Sequence, residues 1–369
     1  MINLALPFEP NFIWTADWDK FASALERETV VRRCIDDKLD YPRDFSDPLL
    51  TIVQATNLRP IYPHLRSKVR NVAMAVPMEC FALKRYIQNA YRNWDYLVTS
   101  STWSAEMFQD AGYPHVSVVV HPAPEDFTPE PYEVKDDFVI YSGGKMEMRK
   151  SQDIVIQAVG YLMRKHKDIR LIVDWHNPWP ETAESIRATA LFQQYPNQHT
   201  YTIMRACGVD LKRVYNLPTQ HSTVAQHLAD KLEAIRLCDV GLFPNRAEST
   251  ANAIMCQVMA CGRAVIALYA HGHKEVLDEE DPLNLTCYTP FIVANNRRED
   301  VALWYEPSVD ETIAKLEFAY DHRQMLPALG MANSLRLEKF QTYASRYVEI
   351  CEGRSTNDLK EVVHAVEKR

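Results

Sequence analysis

Several things are missing from this sequence, and each absence narrows the reading. The first candidate strand, residues 2–6, is not followed by a glycine-rich loop but by PFEPNFIWTADWDKFASALERE. The eight cysteines contain no CxxC pair, which excludes the common zinc and disulfide frameworks and suits reduced thiols. No apolar run approaches the roughly 18 residues of a membrane span. Nor does the chain open with the pattern of a secretory signal, so the expected location is cytoplasmic. A formal net charge of -8 excludes a surface coated in basic residues. There is no internal repeat and no low-complexity tract.

What is present suits an α/β protein. With 369 residues and 47% hydrophobic composition, the chain can bury a full core and is expected to form two domains. Four prolines, Pro122, Pro124, Pro129 and Pro131, interrupt residues 122–137 and mark a linker. The expected domains are therefore 1–134 and 135–332, followed by a helical segment, 333–351, within 333–369.

The chain is organised around residues 240–267, VGLFPNRAESTANAIMCQVMACGRAVIA. Residues 240–243 read as a strand that Pro244 and Asn245 break. Ser249 or Thr250 can cap a helix reaching Cys261, with Gly262 as its left-handed stop. Arg263 then leads into a second strand. A strand–helix–strand unit of this length implies a parallel sheet, whose ligands gather at the carboxyl ends of the strands. The helix has no polar face except Gln257, which must be satisfied by the fold or face a ligand. Glu248 sits where a carboxylate favours the helix dipole.

This stretch resembles the donor-binding motif of retaining, nucleotide-sugar-dependent glycosyltransferases of the GT-B fold. More narrowly it is similar to glycosyltransferase family 4 (glycosyl transferases group 1), whose pattern is a Glu, seven or eight residues, a second Glu, then A-M-A-C-G-x-P-V-I-A. The resemblance implies two facing Rossmann-like domains with a cleft between them. It implies transfer of a hexosyl or pentosyl unit from a UDP- or GDP-sugar to a hydroxyl, without a metal or other cofactor. Glu248 matches the Glu that holds hydroxyls of the transferred sugar. Gln257 stands where the second Glu holds the ribose, and Ala264 where Pro is usual. Upstream, the run SGGKMEMRKSQD follows the strand that begins the second domain. Gly143 and Gly144 let backbone approach a ligand. Lys145 and Lys150 match the Arg and Lys that clamp the donor diphosphate, and Ser151 replaces a Gly. With Ser249, Thr250 and Asn252 at the amino end of the helix, these residues form the expected donor site. His176, in an H-N-P-W-P run similar to that of bacterial and phage-type relatives, either lines the nucleotide site or belongs to a rigid loop. Tyr215 and Leu217 lie where relatives hold the base. The run His271-Gly272-His273-Lys274-Glu275 resembles the G-G-x-x-E turn. The C-terminal segment is expected to pack back across the first domain, as in other GT-B enzymes.

The first domain matches only in outline. Asp17-Trp18-Asp19 fits a D-x-D metal pattern, but two acids near a helix start also serve as cap charges. Glu79 and His121 resemble cleft-facing positions; a loop carboxylate and a structural hinge are the plainer alternatives. Residues 100–104, SSTWS, resemble a turn in which a hydroxyl caps the next helix. Between Arg59 and Arg92 lie seven cations (Arg59, Arg66, Lys68, Arg70, Lys84, Arg85, Arg92) and one acid, Glu79, a balance of +6. With Tyr62, Tyr86, Tyr91 and Trp94 nearby, this stretch suits a polyanionic acceptor. Such an acceptor would be a hydroxymethylated DNA base, as in phage base glycosyltransferases, or a phosphate-bearing glycan or lipid met by peripheral contact with a membrane. The alternatives are cations scattered over solvated faces, and a degenerate GT-B protein that binds a nucleotide sugar or glycan without turnover.

Overall fold

The structure is a computed structural model describing residues 1–6, 13–34, 44–53, 57–75, 79–80, 84–122, 125–177, 184–218, 224–294 and 300–354. The chain divides into two compact units, Met1–Pro124 with Glu338–Arg369, and Glu125–Leu337. Those divisions fall ten residues before the expected 134/135 boundary and five residues after the expected 332/333 boundary.

In the first unit the strands are β1 (Ile2–Ala5), β2 (Val31–Arg33), β3 (Asp44–Phe45), β4 (Leu49–Ile52), β5 (Arg66–Ser67), β6 (Asn71–Met74), β7 (Tyr96–Thr99) and β8 (Val116–Val118). Six of them form one sheet in the order β2-β1-β4-β6-β7-β8, with every neighbouring pair parallel. The fully buried, mostly apolar runs INLA and NVAM suit strands covered on both faces. The C-terminal helix Phe340–Glu352 lies in this unit. Its buried side chains Phe340, Tyr343, Ala344, Tyr347, Val348 and Cys351 recur at helical spacing. Tyr343 and Tyr347 meet Phe21 edge-on at 5.2 and 5.1 Å. The helix is not continuous with residues 333–335, because the preceding helix ends at Ser334.

The second unit contains β9 (Phe138–Gly143), β10 (Ile169–Asp174), β11 (Val214–Asn216), β12 (Val240–Phe243), β13 (Ala264–Ala267), β14 (Tyr288–Ala294) and β15 (Asp300–Pro307). The sheet order β11-β10-β9-β12-β13 is parallel throughout. Chain order reverses direction between β9 and β12, the switch point at which open α/β sheets leave a crevice beyond their carboxyl ends. Strands β14 and β15 form a separate antiparallel ribbon, which Pro290 and the mixed polarity of YTPFIVA conceal in the sequence.

Candidate functional site

The glycine–lysine run after β9 and the Glu248 segment after β12 meet at that switch point. β9 ends in Gly143, and β12 delivers residues 244–252. A Cβ on Gly143 would lie 2.7 Å from Cγ2 of Ile254, and Gly144 has a φ of +133°. Both positions therefore require glycine for the strand end to meet the next helix. That helix is Ala253–Ala260, shorter than the 250–261 expected. Its cap is Asn252, not Ser249 or Thr250: the Asn252 Oδ1 accepts from the backbone N–H groups of Ile254 (3.2 Å) and Met255 (3.4 Å). Ser249 is buried, and the Thr250 hydroxyl accepts from the Asn252 backbone N–H at 3.3 Å. Gly262, with a φ of +71°, is the left-handed stop.

Glu248 is 4% exposed and fully engaged. Its Oε1 accepts from Lys150 Nζ and from Asn245 Nδ2. Its Oε2 lies 3.3 Å from Arg149 Nη1. Arg149 Nε reaches Glu147 at 2.8 Å, and Lys145 Nζ reaches the other oxygen of Glu147 at 3.1 Å. Lys145, Glu147, Arg149, Glu248 and Lys150 thus form one alternating chain, three cations against two carboxylates. Burial alone would push the Glu248 carboxyl up; Lys150, then Arg149, outweigh it and hold it well below the usual range. The structure brings together Lys145, Lys150 and Glu248 from the sequence reading, and adds Arg149, which that reading passed over.

A second buried network holds this one in place. Ser151 has a φ of +59°, a left-handed conformation costing about 1–3 kcal/mol for a non-glycine residue. Its hydroxyl accepts from the Arg246 backbone N–H at 3.1 Å. The Arg246 guanidinium grips both oxygens of Asp153 at 2.8 Å and both of Glu306 at 2.5 and 2.6 Å. It also donates to the Met148 carbonyl at 2.8 Å. Burial lowers its pKa, but the bonds to Asp153 and Glu306 carry it above the ordinary value, so it stays charged. Glu306 roots the β14–β15 ribbon here, since an isolated two-stranded ribbon is marginal alone. The His271 ring stacks on Tyr305 at 4.5 Å.

The remaining donor-side candidates are spread along the strand ends. Gln257 is 8% exposed, and its Oε1 is a buried acceptor with no partner. His176 is half-buried in the segment after β10, where Trp175 donates to Ser142 Oγ at 3.1 Å; Pro178, Trp179 and Pro180 lie outside the described residues. Tyr215 is exposed on β11, whereas Leu217 is buried and its N–H donates to the Val173 carbonyl at 2.9 Å. A cluster the sequence did not reveal lies below: Asp174 meets Lys231 at 3.0 Å and the Tyr141 hydroxyl at 3.1 Å.

In the first unit several of the candidates are held by their own surroundings. Arg70 donates to the Ile350 carbonyl at 3.2 Å and sits 5.2 Å over the Tyr96 ring, so it secures the C-terminal helix. Arg66 donates to the Arg92 carbonyl at 3.2 Å, and Arg59 is exposed. Trp94 is a core residue whose Nε1 donates to the Leu58 carbonyl at 3.1 Å. The side chains of Lys84 and Arg85 lie outside the described residues. The +6 balance is therefore partly consumed by the fold, because a backbone carbonyl at a helix end competes for an arginine as a phosphate does. His121 meets the Pro122 carbonyl through Nδ1 at 2.9 Å and packs 5.3 Å from Tyr343. Glu79 is half-buried with a φ of +53°. Ser101 caps the helix Thr102–Asp110. Asp19 pairs with Arg33 at 3.2 Å on the surface, and the side chain of Asp17 is outside the described set. No helix among the described residues is long and apolar enough to cross a membrane.

No protein-family model matches the chain, and no curated protein matches its sequence. Solved structures do match. HepE from Anabaena, in complex with UDP and glucose, has a TM-score of 0.63 at 13% identity, covering 95% of this chain and 99% of that one. A glycosyltransferase from Rickettsia africae has a TM-score of 0.60 at 10% identity, covering 97% and 99%. WaaG, a glycosyltransferase involved in lipopolysaccharide biosynthesis, has a TM-score of 0.56 at 11% identity, covering 96% and 100%. At such identities the likeness is one of fold, and the fold is the GT-B type, built from two Rossmann-like domains.

Proposed function

We propose that the protein is a glycosyltransferase that moves a sugar from a nucleoside diphosphate sugar to an acceptor hydroxyl, with retention at the anomeric carbon, as in family 4. The observation that carries this reading is the ion chain Lys145–Glu147–Arg149–Glu248–Lys150 at the sheet's switch point. A diphosphate placed against Lys145, Lys150 and the Gly143-Gly144 backbone finds cations where negative charge grows as the bond to the anomeric carbon breaks. Glu248, kept ionised, accepts hydrogen bonds from sugar hydroxyls. The acceptor oxygen forms the new bond, and its proton passes to a leaving phosphate oxygen; no metal enters this scheme. Gln257 Oε1 is an uncharged acceptor for a ribose hydroxyl. HepE has also been solved with UDP-glucose, so UDP-glucose is the first donor to try and GDP-sugars the second. A polyanionic acceptor such as DNA is not part of the proposal, because Arg70 and Trp94 are occupied within their own unit.

The test is nucleotide release from a panel of UDP- and GDP-sugars with glycan and lipid acceptors. Turnover that depends on Lys150 supports transfer. Tight nucleotide-sugar binding without turnover on any acceptor would favour a binding protein instead.

A further inference from the structure

Beside Glu248 stands a buried acceptor that the scheme above does not use. His273 lies in the turn His271–Glu275 and is 1% exposed. Its Nδ1 is 3.0 Å from the Leu268 carbonyl oxygen. A carbonyl can only accept, so Nδ1 carries the proton and Nε2 presents a lone pair. Nε2 is buried with no hydrogen-bond partner. Leaving such an acceptor unsatisfied costs about 1–3 kcal/mol, so the position invites a donor from a ligand.

The turn is tied to the Glu248 loop. The Gly272 N–H donates to the Glu248 carbonyl at 3.0 Å. A Cβ on Gly272 would lie 2.2 Å from the Thr250 carbonyl oxygen, so glycine alone permits this approach. Glu248 and Lys150 both act electrostatically on the His273 ring, and burial, the dominant effect, holds its pKa below 6.5. The ring is therefore neutral at pH 7 and its acceptor persists. Glu248 is already paired with Lys150 and Arg149, so the donor this acceptor calls for is a neutral O–H or N–H.

We propose that His273 Nε2 accepts a hydrogen bond from a hydroxyl of the sugar being transferred, and so works with Glu248 to select the donor. This rests on the donor-site reading above. His273 is a specificity-determining residue of that site.

Two substitutions separate this role from packing. His273→Asn places an amide near Nδ1, keeping a donor for the Leu268 carbonyl but offering nothing at Nε2. His273→Gln reaches the Nε2 position and restores an acceptor there. Calorimetry is run with UDP and UDP-glucose, and with GDP and GDP-mannose, on variants whose melting temperatures show them folded. Asn should weaken the nucleotide sugar about tenfold, the worth of one neutral hydrogen bond, while the bare nucleotide changes by less than about twofold. Gln should recover most of that loss. In ring-labelled protein, the Nε2 nitrogen resonance should shift with the nucleotide sugar and stay put with the nucleotide. The reverse ranking, Asn normal and Gln weakened, would assign His273 to holding Leu268 and overturn the proposal. Unchanged sugar affinity in both variants would overturn it as well, with the donor site intact. Wild-type protein that binds none of the four compounds would overturn the donor reading and this assignment together.

Discussion

Among the described residues of the first unit the buried polar side chains are Asn3, Thr51, Ser67, Asn71, Thr99, Ser101, Ser104 and Ser117, all neutral. In the second they include Glu147, Asp153, Asp174, Lys231, Asp239, Arg246, Glu248, Arg263 and Asp281. Burying a charge costs several kcal/mol unless a partner and further hydrogen bonds repay it. A fold needing only a core has no reason to accept that cost repeatedly, and the described residues of the first unit do not. Much of the buried charge in the second unit lies at the carboxyl ends of β9, β10 and β12, where a ligand would sit. The contrast locates chemistry, and it can be broken or sharpened by experiment.

The largest effect is expected at Arg246. Replacing it with Met strands the buried Asp153 and should cost about 3–5 kcal/mol in urea unfolding of the full chain. Arg70→Met in the first unit loses a bond to one carbonyl and should cost about 1 kcal/mol. Equal losses would erase the contrast. Next comes Lys150→Ala, which should lower turnover by about 10²-fold or more if it supports growing phosphate charge. Lys145→Ala should cost less, since Lys145 is 29% exposed while Lys150 is 9% exposed. Unchanged turnover in Lys150→Ala would remove the diphosphate assignment.

A pH experiment reads the same buried electrostatics. Burial, then His273, pushes the His271 ring down to about 4. The unfolded chain then binds more protons than the folded one between about 4 and 6.5. The stability this ring confers is complete above 6.5 and is lost as pH falls toward 4. Asp239 runs the other way: burial pushes it up to about 6, and its contribution is lost as pH rises from 3.8 to 6. His271→Phe isolates one of these, and should flatten the rise of stability with pH by up to about 1.4 kcal/mol per unit between 4 and 6.5. Parallel curves for the two proteins would contradict the depressed imidazole. The smallest effect is at Gln257. Gln257→Ala should weaken UDP and UDP-glucose alike by about tenfold if its Oε1 meets the ribose. A loss of stability with unchanged affinity would make it a structural amide.

The framework of the second unit was legible in the sequence where its strands, such as VGLF and AVIA, are apolar runs. β12 was expected at 240–243 and lies there, and in the first unit β7 likewise occupies 96–99. Motif spacing pointed to Lys145, Lys150 and Glu248, and the structure brings them together. It could not point to Arg246, whose partners Asp153 and Glu306 lie 93 and 60 residues away. The cap was misplaced because three residues in STAN can cap, and only Asn252 tolerates a φ of 61° easily. The helical stretch 333–351 is interrupted at 335–339, where Ser334 and Lys339 bound two helices. In the first unit the switch point lies between β1 and β4, and the loops after those strands fall largely outside the described residues. The acceptor reading of the basic stretch rests on composition, which counts charges but not which of them, such as Arg66 and Arg70, a backbone carbonyl already holds.

The most direct measurement is hydrogen–deuterium exchange of the full chain with and without UDP, and in parallel with GDP. The site at the switch point should give protection in two segments of the second unit, residues 143–152 and 245–260, with one of the two nucleotides. Protection confined to the first unit, or none with either nucleotide at saturating concentration, would contradict the assignment of the donor site to Lys145, Lys150 and Glu248.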